Sequence, residues 1–161
     1  MRGGALPPAL VSVALGLALA CAPRRVWRPS LVTLTVTATS LAISPVPRGW
    51  LDWVFLGCWL SVAGSAATVH LPGGLHPRWA LAASLNAGFW SGAAIALSGS
   101  RLDLLKALPG VLVLLPAAAG LGLRATIVAK VVSSWLIAIA VLAAALQFLP
   151  VTPGYMPDHL D

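Results

Sequence analysis

Apolar residues run through this chain in long blocks, and most of its charge lies in the short breaks between them or at block ends. A helix needs about 20 apolar residues to cross a ~30 Å hydrocarbon core, and blocks near that length lie at about 5–22, 30–44, 51–70, 79–99, 102–123 and 126–149. They predict an all-α, polytopic transmembrane helix bundle of about six spans. Loops this short leave no room for a second folded unit, so residues 1–161 are read as a single integral-membrane domain.

Local chemistry sets the boundaries. The first block ends in Ala18-Leu19-Ala20-Cys21, which has the A-x-A form of a signal-peptidase site. Arg24, Arg25 and Arg28 follow at once and resist translocation, so an uncleaved helix is expected, with a cleaved leader as its rival. The second block has only about fifteen residues before Pro45 and Pro47 stop it, so a short or re-entrant helix competes there with a full crossing. Thr33, Thr35, Thr37 and Thr39 alternate with apolar residues as in a half-buried strand. A lone strand in lipid leaves its backbone unpaired, so helix is preferred, with the hydroxyls bonding back to carbonyls one turn earlier. Arg48, Trp50, Asp52 and Trp53 open the third span, and Leu71-Pro72-Gly73-Gly74 closes it as a turn. Ser100 and Asp103 form a capping-box pattern before the fifth span, which carries Pro109 and Pro116 on roughly one face. Pro150 and Pro153 end the sixth.

Composition agrees with this pattern. Apolar residues make up 59% of the chain and charged ones 9%, against about a quarter charged in soluble domains. Mean hydropathy is +0.93. The net charge of +6 sits in the turns, with no basic stripe carrying interleaved aromatics, so no nucleic-acid partner is expected. Cys21 and Cys58 both lie in apolar surroundings and offer no disulfide framework.

Two rows of small residues stand out. In the fourth span Ala80, Ser84, Gly88, Gly92 and Ala96 recur every four residues, and Gly57, Ser61 and Ser65 do so in the third. Such small-xxx-small ridges let helix backbones approach closely in lipid, so these two helices are expected to pack tightly together or against a partner. Asn86 lies near the middle of the fourth span, where an amide must find an interhelical partner or line a polar path. Lys106 stands beside the Pro109 break and either snorkels to the headgroups or marks an anion site at a broken helix.

Catalytic constellations are missing. The sequence has no nucleophile elbow, no HExxH and no phosphate loop, and only four acidic residues, so no catalytic, cofactor-binding or metal residue is assigned. His70, His76 and His159 are scattered and make no ligand set. The expected role is a non-catalytic helix-packing or partner-binding subunit; the alternative is a small secondary transporter or channel, in oligomeric form. The expected partners are membrane lipids and either a membrane-protein partner or further copies of the chain.

Alternating sides of six spans collect Arg24, Arg25, Arg28, Arg78, Arg124 and Lys130 on one side, and Arg2, Arg48, Arg101 and Lys106 on the other. Retention of basic residues in the cytoplasm then puts the Arg24–Arg28 loop inside and both termini outside, in a bacterial inner membrane. Sequencing the mature amino terminus checks the first span: an uncleaved helix predicts a start ahead of Ala5, whereas a start at Cys21 would mean a cleaved leader.

Overall fold

A computed structural model describes residues 6–98 and 122–148. They form five α-helices: α1 (Leu6–Ala20), α2 (Trp27–Ala42), α3 (Leu51–Thr68), α4 (Pro77–Ser98) and α5 (Gly122–Ala145). Short 3-10 turns at Arg24–Val26 and Arg48–Trp50 lead into α2 and α3, and no strand occurs among the described residues. The fold is all-helical, as the apolar blocks predict. Among the described residues, three stretches are long and apolar enough to cross a membrane: Arg48–Thr68, Pro77–Leu97 and Ile127–Ala145. At 1.5 Å per residue α1 spans roughly 22 Å and α2 roughly 24 Å, short of a full hydrocarbon core. Most of the expected fifth span, with Ser100, Asp103, Lys106, Pro109 and Pro116, lies outside the described residues, as does the tail.

Proline sits where a helix tolerates it. Pro7 and Pro8 fall in the first turn of α1, Pro29 in that of α2, and Pro77 opens α4, positions whose missing amide costs no intrahelical bond. The alternating threonines of α2 are helical. Thr33 Oγ1 donates to the Pro29 carbonyl at 2.8 Å, Thr35 Oγ1 to that of Leu31 at 2.9 Å and Thr37 Oγ1 to that of Thr33 at 2.7 Å. The strand-like alternation is thus absorbed by back-bonding along one helix.

Among the described helices, the shortest is deeply enclosed. Val11, Ala14, Leu15, Ala18 and Leu19 of α1 are fully buried, the mark of a helix apolar on all sides and set in a core. Its carbonyl end is closed from outside the helix. The Trp27 indole donates to the Leu19 carbonyl at 2.8 Å, and the Leu75 amide donates to that of Cys21 at 3.3 Å, answering acceptors that a helix end leaves orphaned. The second contact depends on the turn after α3. Gly73 and Gly74 both have positive φ, +90° and +80°, and a Cβ on Gly74 would come within 2.6 Å of the Cys21 carbonyl oxygen, so glycine is required there on two counts.

Three contacts fix how the helices run. Ser61 and Gly57 of α3 meet Asn86 and Trp90 of α4, an antiparallel pair. His70, after α3, meets Ser133 of α5, while Asp52 and Trp53 share a hollow with Gln147 and Phe148, so α5 is also antiparallel to α3. Leu34 and Ala38 of α2 meet Gly88 and Gly92 of α4 in the same order, so these two are parallel. A core of α1, α3 and α4 therefore carries α2 on one side, against α4, and α5 on the other, against α3.

Replacing Leu15 by Ala leaves a cavity in this core. Because lipid tails are as apolar as leucine, only the packing share of the usual cost applies, and we expect a loss of about 2 kcal/mol in detergent-solubilised protein, the low end of the range for buried leucines. Val36→Ala, at a side chain 59% exposed, should stay within about 0.5 kcal/mol of the parent. Thermal unfolding of the two variants side by side checks the assignment of the core.

Candidate functional site

The α4 ridge is a buried face. Ala80, Ser84, Gly88 and Gly92 are all buried, and Ala96 is half-buried. Ser84 Oγ donates to the Ala80 carbonyl at 2.8 Å, so its hydroxyl is satisfied within its own helix. The face does not meet the α3 ridge. A Cβ on Gly88 would stand 2.8 Å from the Leu34 carbonyl oxygen and 2.9 Å from Thr37 Cβ, and one on Gly92 would stand 2.5 Å from the Ala38 carbonyl oxygen. The partner is the backbone of α2, which cannot yield as a side chain could, so the two glycines are what allow the approach.

The α3 ridge meets the other side of α4. A Cβ on Gly57 would overlap the Trp90 ring, so this glycine is a notch for a large side chain. The third and fourth helices are in contact, but each ridge meets something other than its counterpart: small residues license close approach without naming the partner, and a tryptophan occupies the Gly57 notch. Cys58 Sγ lies 3.5 Å from the Trp90 carbonyl. One turn on, Asn86 Nδ2 donates to Ser61 Oγ at 2.7 Å and Asn86 Oδ1 accepts from Trp90 Nε1 at 3.0 Å. The side chains of Ser61, Asn86 and Trp90 form a chain of polar contacts that ties α3 to α4. Ser65 is buried beside it. Lys106, the other residue singled out for a polar path, lies outside the described residues.

A second polar link had no signal in the sequence. His70 Nε2 lies 3.2 Å from Ser133 Oγ and 3.4 Å from Ser134 Oγ, and both serines also donate to the Lys130 carbonyl. It joins the end of α3 to α5. The two residue types are separated by more than sixty positions, and nothing in the spacing ties them together.

The charges fall on the ends. Arg25 and His76 line one hollow beside the Cys21 turn, Arg24 stacks over Trp27 with its guanidinium carbon 6.0 Å from the ring centroid, and Lys130 lies one turn before Ser133, which meets His70 at this end. With Arg28 and Arg78, which open α2 and α4, these residues form one cationic end. Among the described residues, no carboxylate pairs with any of them. The opposite end holds Arg48, Asp52 and the exposed rings of Trp50 and Trp53. No group of three or more His, Cys, Asp or Glu able to hold a metal occurs among the described residues.

Substituting leucine at three glycines separates contact from composition. Gly88→Leu and Gly92→Leu should lower thermal stability by 2 kcal/mol or more, on the scale of about 1–3 kcal/mol for overpacking. Gly64→Leu should be near neutral, because a Cβ there meets nothing within 4 Å. Asn86→Ala should cost about 0.6–2 kcal/mol, one interhelical hydrogen bond in lipid. Differential scanning fluorimetry on the four variants reads all of these.

No protein-family model, curated protein or solved structure matches this chain.

Proposed function

We propose that the chain is a six-span integral membrane protein acting without catalysis, as a helix-packing or partner-binding subunit. The observation that supports this best is the use of its intramembrane polar groups. Ser61, Asn86 and Trp90 bind one another across two helices, and Thr33, Thr35, Thr37 and Ser84 bond to their own backbone. The first set ties two helices together and the second is satisfied within its own helix, so neither is poised for proton transfer or ion coordination. The surface open to a partner helix is on α5. Only 17% of its apolar stretch is buried, against 50% of that in α4, and Val131, Trp135, Ile139, Leu142 and Leu146 are exposed along it.

The orientation follows from the cationic end. Arg24, Arg25, Arg28, Arg78 and Lys130 share it, and basic residues are retained in the cytoplasm of a bacterial inner membrane. That end is read as cytoplasmic, with both termini outside.

Two measurements test the proposal. Reporter fusions after Arg28 and Arg78 should signal cytoplasm, and fusions at Arg48 and the tail should signal the outside; the reverse pattern would invert the orientation. Purified protein in liposomes should move no ion or small anion. Flux that Lys106→Ala abolishes while thermal stability is unchanged would replace the subunit reading with a transporter.

A further inference from the structure

The outer faces of α3 and α4 do not close on each other toward the cationic end. Between them lies a cleft of about 410 Å³, walled by Leu60, Gly64 and Thr68 on one side and by Trp79, Ala82 and Asn86 on the other. Its size falls within the range of about 300–1,000 Å³ seen for ligand sites. The bareness of Gly64 and the small side chain of Ala82 keep it open, while the bond from Asn86 to Ser61 closes its inner end.

Its mouth is cationic. Trp79 and Ala82 also line an adjoining hollow of about 470 Å³ together with His76 and Arg78. His76 in turn lines the next hollow, of about 730 Å³, where Arg25 stands. An apolar slot thus opens onto a rim carrying Arg78, Arg25 and a histidine, with no carboxylate paired to either arginine among the described residues. The Arg78 amide donates to His76 Nδ1 at 3.4 Å, so the two residues stand together at the rim. Trp79 is 70% exposed beside them, as an indole at the headgroup level of a membrane is.

We propose that this cleft holds one acyl chain of an anionic phospholipid, with the lipid phosphate at Arg78 and His76. The inference rests on the membrane reading above. A partner helix is a poor occupant, since a cylinder about 10 Å across fills a volume of this order in a single turn. A hydrocarbon chain is thin enough, and the slot presents it with a mainly apolar wall that includes Leu60, Leu71, Leu75 and Trp79. The rim selects the headgroup: two arginines with no counter-charge among the described residues attract a net negative phosphate, while the quaternary ammonium of a zwitterionic lipid meets no described carboxylate there.

The test uses the full chain, delipidated in mild detergent and offered equal amounts of phosphatidylglycerol and phosphatidylcholine with identical acyl chains. Native mass spectrometry then counts the retained lipid. The expected result is one phosphatidylglycerol per chain, preferred by about fivefold or more, the scale of one basic residue acting on an anionic headgroup. Gly64→Leu puts a branched side chain into the cleft at a position where the Cβ itself meets nothing within 4 Å, and should abolish retention of both lipids. Arg78→Gln combined with His76→Gln should keep a lipid but lose the preference, and Arg48→Gln at the opposite end should change nothing. Equal retention of the two lipids, retention undiminished in Gly64→Leu, or an equal effect of Arg48→Gln would each overturn the proposal. Alkaline carbonate extraction of the source membranes distinguishes the two levels of failure. A chain that stays in the pellet yet shows no preference refutes the lipid site alone, whereas a chain released to the supernatant refutes the membrane reading and the site with it.

Discussion

Lipid tails are as apolar as leucine, so helices in a membrane are not pressed together by water. What remains is contact: dispersion between closely fitted surfaces and hydrogen bonds between groups that have no other partner. In this bundle that constraint falls on α4. Gly88 and Gly92 let the backbone of α2 lie against one of its faces, while Asn86 and Trp90 bind α3 across another. The helix is a spacer with two chemically different sides, one bare and one polar. The parallel run of α2 and the antiparallel run of α3 both follow from it.

The same constraint explains why a 15-residue helix can be so deeply buried. α3 and α4 shield the sides of α1, and the carbonyls at its end receive the Trp27 indole and the Leu75 amide. Unsatisfied backbone groups are costly in lipid, and here the caps come from the next helix and from a glycine turn after α3. Those caps also draw Arg24, Arg25 and His76 to the same end. The end is cationic because the chain turns there, and the cleft between α3 and α4 lies next to it, lined in part by Leu71 and Leu75 of their connecting turn.

The spans that carry long apolar blocks were legible in the sequence, since length and hydropathy alone mark α3, α4 and α5. The threonines of α2 were also legible, because back-bonding is local and needs no partner. The ridge on α4 could be read but not its partner. A row of small residues says that a backbone comes near, and whether that backbone belongs to α2 or α3 depends on the bundle as a whole. The Gly57 notch shows the limit from the other side: its occupant, Trp90, is more than thirty residues away and carries no mark of the pairing. His70 with Ser133 is a similar case. The Pro109–Pro116 stretch and Lys106 lie outside the described residues, so the number of spans beyond the three long ones belongs to the proposal.

The close approach of α2 to α4 is the claim from which the rest follows, and a distance measurement tests it most directly. Spin labels at Val36 and Leu85, both exposed positions, would be placed in a chain whose Cys21 and Cys58 are replaced by alanine, reconstituted in lipid and read by double electron–electron resonance. The account predicts one narrow distance distribution that lengthens and broadens in Gly88→Leu and is unchanged in Gly64→Leu. A distribution that is broad from the outset, or one that Gly88→Leu leaves untouched, would contradict it.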